Sequence, residues 1–157
     1  SLLGRPSMHA SIINGGTGWS TYPEHCSLTI ERRTVPGETG ESVKAEFEAL
    51  CAEIGRDRAS FRAEVTLELY QPASDLAIDA PLTQAVVSAL QKESLPAPVE
   101  GLSCWTDAAL FNEAGIPALC FGPGDIGLAH SAEEWVTLDD IQHATAVLER
   151  VCAAWGR

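Results

Sequence analysis

Two stretches of this chain alternate apolar and polar residues with a period of two, and they constrain its fold more than any other feature. Residues 26–33 begin in this way, and residues 61–69 keep the alternation throughout. Such alternation is typical of strands that bury one face. Between them, over residues 43–54, apolar residues recur at spacings of three and four, which indicates an amphipathic helix. With a further strand-like stretch at 9–14, the first 72 residues predict two strands, a helix and a third strand.

The pattern of apolar and polar residues changes after a connector at residues 71–81, which contains two prolines. From there helical patterns alternate with short apolar runs, as in an open α/β domain. The capping pair Thr137 and Asp140 predicts the start of the last helix. We expect helices and buried strands over the following ranges: helices over 81–93, 106–114 and 138–155, and strands over 99–104 and 117–121.

Composition excludes several classes of function. The chain has 22 acidic and 10 basic residues and a formal charge of −12, so it lacks the cations that nucleic-acid binding needs. It also lacks an apolar run near the roughly 18 residues of a membrane span. We therefore expect neither nucleic acid nor membrane as a partner.

The five cysteines are odd in number and form no Cys-x-x-Cys pair. This favours reduced thiols and a cytoplasmic location. The chain begins with Ser1 and shows no signal segment, and we expect a processed product or a piece of a longer protein.

His130 is the first candidate functional residue. It follows a predicted strand and a Gly-Pro-Gly turn, and open α/β sheets place ligands in such loops. Its imidazole could ligate a metal, and the alternative is an ordinary surface histidine. Its spacing from Glu134 resembles one helical His-x-x-x-Glu pair, which is a weak metal signal.

Arg33 is the second candidate, because it ends a predicted strand. An arginine in that position can clamp a carboxylate with two hydrogen bonds, and the alternative is a solvated cation. The alternation places Arg33 and Glu31 on the face opposite Ile30, and Arg32 on the Ile30 face unless a bulge intervenes. The sequence contains no Gly-x-Ser-x-Gly motif and no phosphate-binding loop, which argues against a serine nucleophile and a nucleotide site.

Three stretches together resemble a known family. They are GGTGWSTYPEHCSLTIERRTVPGE at 15–38, WTDAALFNEAGIPALCFGPGD at 105–125 and AHSAEEWVTLDDI at 129–141. In order and spacing they are similar to the metallopeptidase family of aminoacylases, acetylornithine deacetylase, succinyl-diaminopimelate desuccinylase and carboxypeptidase G. The resemblance covers nearly the whole chain and matches the C-terminal portion of these enzymes.

The resemblance implies an α/β fold in two parts. Residues 1–72 would be a partial ferredoxin-like α+β lid, which lacks its first strand and helix and forms a homodimer in many members. Residues 73–157 would be the C-terminal part of an α/β/α zinc-hydrolase domain. The complete active site of this family holds two zinc ions and cleaves N-acyl amino acids or small peptides with a free carboxylate.

The same resemblance assigns roles to individual residues. His130 matches the family's last zinc ligand, and Arg33 matches the lid arginine that binds the substrate's carboxylate. Ser20 stands where many members carry asparagine, which leaves a shorter hydrogen-bonding group. Trp105 stands where some members have glycine, beside a loop that lines the substrate pocket, so that only main-chain contacts carry over.

The family's other zinc ligands and its general base have no counterpart in this chain, and no catalytic residue is assigned. A single imidazole cannot hold a catalytic zinc, which needs about three protein ligands. We therefore expect the chain to be inactive alone and to need the missing N-terminal part of the enzyme. The alternative is a non-catalytic module for dimerisation or interaction, using the exposed helix and strand edge of the lid.

Overall fold

A computed structural model describes residues 2–155 of the chain. It is a mixed α/β structure with one small sheet. The strands are β1 (Ser7–Gly15) and β2 (Cys26–Arg33), and the helices are α1 (Gly40–Asp57), α2 (Pro81–Lys92), α3 (Ala108–Glu113) and α4 (Leu138–Trp155). The chain divides into two compact units, the first comprising residues up to 73 with 101–103, and the second comprising 74–100 and residues from 104 onward.

The sheet of the first unit is an antiparallel pair of β1 and β2. Its register runs from Ser7 opposite Arg33 to Gly15 opposite Cys26, and it shifts between Ala10 and Ile12. This irregularity is a β-bulge, in which an extra residue on one strand faces the partner strand. Both strands were predicted from the sequence, and both are confirmed.

Helix α1 begins with a capping box. Ser42 N donates to Thr39 Oγ1 at 3.1 Å, and Thr39 N donates to Ser42 Oγ at 2.9 Å. The first helical residue, Gly40, is closely approached by later residues of the chain. A Cβ atom at this position would lie 2.8 Å from Cδ2 of Leu67 and 3.1 Å from Cγ of Tyr70. The segment around Leu67 therefore crosses the start of α1 at a distance that only glycine permits.

The other predicted strands, over 61–69, 99–104 and 117–121, are wrong for this structure. These segments carry no strand, and β1 and β2 form the only sheet among residues 2–155. The physical reason is that an alternating pattern or a short apolar run indicates burial, whereas a strand also requires a hydrogen-bonded neighbour. Within residues 2–155 no strand pairs with these segments.

The second unit is built on its helices, and the predicted helices are confirmed. Helices α2 and α4 pack together through small side chains, and Ala89 and Val147 are almost fully buried. An ion pair between Arg150 and Glu93 also joins α4 to the end of α2. Thr137 Oγ1 accepts from Asp140 N at 2.9 Å, which confirms the predicted cap of α4.

Asn112 at the end of α3 holds the segment over 117–121 in place. Its Nδ2 donates to Ala118 O at 2.9 Å, and its Oδ1 accepts from Ala118 N at 2.8 Å. One amide side chain thus satisfies both backbone groups of Ala118, as a neighbouring strand would do. None of the helices within residues 2–155 has the length and hydropathy of a membrane span.

The solvent-accessible surface area is large for a chain of 157 residues. Two separate compact domains of half the mass would expose about 9,200 Å² together, whereas the chain exposes 12204 Å². In the first unit, no large apolar side chain within the described residues is buried, and Trp19 and Tyr22 are almost fully exposed. Large apolar side chains on both units therefore face solvent.

An ion pair fixes the turn between β2 and α1. The half-buried Arg32 donates to Glu38 Oε1, and Glu38 Oε2 accepts from Val35 N at 3.0 Å. The hydrogen bond from Arg32 lowers the pKa of the Glu38 carboxyl below its ordinary value of 4.5.

We expect Glu38→Gln to destabilise the fold by about 1–2 kcal/mol at pH 7, because it removes a charge-assisted hydrogen bond. A lowered carboxyl pKa stabilises the folded state above pH 4.5, and this contribution is lost as the pH falls through the lowered value. Denaturation of the complete, longer protein in urea at pH 7 and pH 3 checks this, with Glu24→Gln in the exposed loop as the matched control. A difference between Glu38→Gln and the wild type that stays constant with pH would contradict the assignment.

Candidate functional site

The loop that carries His130 is fixed by local hydrogen bonds. Asp125 Oδ1 accepts from Gly127 N at 2.8 Å and caps a single 3-10 turn, Ile126–Leu128. Leu128 O then accepts from Ser131 N at 3.1 Å. His130 lies inside this turn, with its side chain exposed.

The backbone of His130 adopts a left-handed conformation, with φ +64°. Its N–H donates to Oε2 of Glu134 at 3.1 Å. Residues 131–135 are not helical, so the His-x-x-x-Glu spacing does not form a helical metal pair. Glu134 instead uses its carboxylate to bind the backbone of His130.

His130 fits one ligand position of a metal site. Its imidazole is exposed, and neither ring nitrogen forms a hydrogen bond or ion pair within residues 2–155. An uncommitted imidazole nitrogen is a good zinc ligand. Within the same residues, however, no three His, Cys, Asp or Glu side chains lie close enough to hold a metal ion. The described part of the chain therefore contains no complete metal centre.

Arg33 lies at the end of β2 with its side chain 54% exposed, whereas Arg32 is only 19% exposed. The alternation along β2 predicts this difference, and the structure confirms it. Arg33 Nη1 donates to Ser103 O at the long distance of 3.3 Å. Nη2 of Arg33 has no partner among the described residues, so its two N–H groups are free to donate to a carboxylate.

Two residues that the sequence analysis did not assign to the candidate site are linked to Arg33 by side-chain contacts. Glu31 Oε1 lies 3.6 Å from Arg33 Nε, and Glu31 Oε2 lies 3.5 Å from His9 Nδ1. His9 and Glu31 are directly opposite each other in the sheet. The period of two already placed Glu31 beside Arg33, but the part played by His9 depends on the register of the two strands.

Ser20 lies in the loop that joins β1 to β2. The loop leaves the sheet at Gly16, where φ is +94°, and contains a turn in which Thr21 N donates to Gly18 O at 3.4 Å. Arg33 is at the opposite end of β2, and the strand from Cys26 to Arg33 spans roughly 23 Å at 3.3 Å per residue. Within residues 2–155 no hydrogen bond joins Ser20 to Arg33.

Trp105 lies ahead of α3 in the second unit, and its side chain is 45% exposed. The next residue, Thr106, forms a hydrogen bond through Oγ1 with Cys120 Sγ at 3.1 Å. This bond ties the segment that carries Trp105 to the segment over 117–121. All five cysteines are free, and Cys51 is the one that is half-buried.

Comparisons with known proteins identify relatives over almost the whole chain. A family model described as peptidase family M20/M25/M40 matches residues 4–154. Acetylornithine deacetylase from Myxococcus xanthus is 32% identical over 147 residues, which cover 94% of this chain and 37% of the relative. A putative succinyl-diaminopimelate desuccinylase from Mycobacterium tuberculosis is 29% identical over 150 residues, which cover 93% of this chain and 38% of the relative.

Among the solved structures that match, one covers almost the whole length of this chain. It is an M20 family metallo-carboxypeptidase from Sulfolobus solfataricus, with a TM-score of 0.59 and 21% sequence identity. The match covers 96% of this chain and 36% of that one, and it concerns the fold. The chain thus spans a little over a third of the length of these relatives and corresponds to their C-terminal part.

Proposed function

The chain belongs to the peptidase family M20/M25/M40, and we propose that it forms the C-terminal part of a zinc-dependent hydrolase that cleaves N-acyl amino acids or small peptides. Two relatives are named for the removal of acetyl and succinyl groups from amino acids. In the complete enzyme, two zinc ions would supply Lewis-acid chemistry, which polarises an amide carbonyl and acidifies water. The chain alone would be inactive, because no three potential ligands lie together within residues 2–155.

The observation that carries this proposal is the exposure of the His130 side chain and its lack of hydrogen-bond partners within residues 2–155. Its imidazole is exposed and uncommitted, and it sits on a loop whose backbone is fixed by hydrogen bonds on both sides. A ligand fixed in this way needs little reorganisation when the metal binds. The surrounding sequence, residues 129–141, falls within the matched family model.

We further assign residues 1–72 to a lid of partial ferredoxin-like form and residues 73–157 to the closing part of an α/β/α catalytic domain. The helix and two strands of the first unit support the lid. The packed α2 and α4, with α3 and the segment over 117–121, support the catalytic part. The five free thiols support a reducing, cytoplasmic location.

Arg33 would bind the free carboxylate of the substrate through Nη2 of its guanidinium. Glu31 stays close to Arg33 Nε and would keep the guanidinium in one orientation. Trp105 would contribute main-chain contacts to the substrate pocket. Ser20 would contribute a hydrogen-bonding hydroxyl to substrate binding from the loop between β1 and β2.

We expect Arg33→Ala in the complete enzyme to raise KM for N-acyl amino acids by about 30- to 100-fold, because it removes a charge-assisted pair of hydrogen bonds. Arg33→Lys should recover only part of this, since lysine lacks the planar fork. The measurement is steady-state hydrolysis of an N-acyl amino acid and of its carboxamide.

Arg5→Ala is the matched control, since Arg5 is exposed and forms no ion pair within residues 2–155. The carboxamide substrate should respond little to either variant. An unchanged KM for the carboxylate substrate in Arg33→Ala would remove Arg33 from the site. Failure of the wild-type enzyme to hydrolyse N-acyl amino acids at all would overturn the proposed substrate class.

A second candidate function is a non-catalytic module that dimerises through the lid. One observation favours it: an open groove of about 420 Å³ lies beside α1 and the sheet. Its lining combines apolar and charged side chains: Met8, Arg32, Glu46, Phe47, Ala49, Leu50, Glu53 and Arg56. Stoichiometric zinc in the purified complete protein would favour the hydrolase, and its absence would favour the module.

A further inference from the structure

We propose that Glu134 is a positioning residue, whose carboxylate holds the backbone of His130 in its left-handed conformation and thereby fixes the direction of the imidazole. That this direction of the imidazole favours metal binding rests on the proposed function. The backbone lock itself rests on the contact between Glu134 Oε2 and His130 N.

The conformation of His130 needs such support. A φ of +64° brings the Cβ of an L-residue close to its own backbone, and residues other than glycine adopt it infrequently. Among residues 2–155, the only other non-glycine residue with positive φ is Ser94, at the end of α2. A strained backbone persists where the surrounding structure over-determines it.

Glu134 supplies the strongest contact that this backbone makes. An ionised carboxylate that accepts from a backbone N–H forms a charge-assisted hydrogen bond, which is stronger than a neutral one. The return of the chain from Ser131 to Glu134 is itself supported, because Glu134 N donates to Ser131 O at 3.4 Å. The side chain of Glu134 therefore folds back over a short turn onto His130, the residue that precedes the turn.

The direction of a side chain follows from the backbone that carries it. In the left-handed conformation the Cα–Cβ bond of His130 points differently from that of a residue in the extended or right-handed region. Releasing Glu134 would let residue 130 relax to a commoner φ and would redirect the ring. The role assigned to Glu134 is thus to act through His130, without contact with substrate or metal.

The test is the rate of amide hydrogen exchange at His130, measured in the complete enzyme, in which this loop is expected to be packed. We expect Glu134→Ala to speed exchange about tenfold or more, the order expected for loss of a charge-assisted hydrogen bond. Glu134→Gln should restore most of the protection, because its Oε1 can accept the same bond. Glu133→Ala is the matched control, since Glu133 is exposed and its side chain makes no hydrogen bond within residues 2–155.

The three-bond coupling between the amide proton and Hα of His130 gives a second readout, because it reports φ directly. It should change in Glu134→Ala and return in Glu134→Gln. Unchanged exchange and coupling in Glu134→Ala would overturn the proposal. Faster exchange in Glu134→Ala would support the role of Glu134 in holding the backbone of His130. If, in addition, His130→Ala left the zinc affinity of the complete enzyme intact, only the ligand role of His130 would be overturned.

Discussion

His130→Ala in the complete enzyme is expected to lower hydrolysis of N-acyl amino acids about a thousandfold and to reduce the zinc content. Catalytic zinc is held by about three protein ligands, so that removing one imidazole takes away a large share of the coordination. The metal's contribution to charge stabilisation is worth several kcal/mol, and about 4 kcal/mol corresponds to a thousandfold in rate. Metal analysis and the rate at saturating substrate check the two effects separately.

His143→Ala is the matched control for that variant. His143 is an exposed histidine on α4, in the same unit of the structure, and the sequence assigns it no role. It should keep both the zinc and the rate. If His130→Ala retained the full zinc content and rate, His130 would be an ordinary surface residue of its loop.

The purified chain by itself is expected to self-associate or to behave as a loosely packed state. Its solvent-accessible surface is 12204 Å². This is about 3,000 Å² more than two compact domains, each of half its mass, would expose together. Covering even about 400 Å² of apolar surface would contribute roughly 10 kcal/mol, which is comparable with the whole stability of a domain. We therefore expect binding of a hydrophobic dye and a broad thermal transition.

Light scattering coupled to size-exclusion chromatography measures the association, with the complete enzyme as the control. In the complete enzyme the dye binding per chain should fall and unfolding should become cooperative. A monomeric chain of 157 residues with one cooperative transition and no dye binding would contradict the expectation, and with it the proposal that the chain works as part of a larger enzyme.

Much of the local structure could be predicted from the sequence, because local structure depends on short-range patterns. Period-two alternation located β2 and placed Arg33 on the exposed face and Arg32 on the half-buried one. Spacings of three and four located the helices, and Thr137 marked the start of α4. The family resemblance, confirmed by the matched family model, rested on three stretches in a specific order.

Other features could not be predicted, because they depend on contacts that a pattern does not record. Residues 61–69 alternate as a strand does, yet pairing needs a neighbour that the alternation cannot specify. The contact of Glu134 with the backbone of His130 arises from a left-handed φ that the composition of this loop does not signal. Similarly, the partnership of His9 with Glu31 depends on the register of β1 against β2.

The close approach at Gly40 has a consequence for the entropy of assembly. Leu67 and Tyr70 pack where a Cβ at residue 40 would lie, so the end of the segment over 61–69 contacts the start of α1, although no strand within residues 2–155 pairs with it. Ordering a residue's backbone costs roughly 1–2 kcal/mol of conformational entropy. A strand that paired with this segment would meet residues that α1 already holds in part, and the entropy cost of ordering those residues would be smaller. The absence of a methyl group at Gly40 makes the contact with α1 possible.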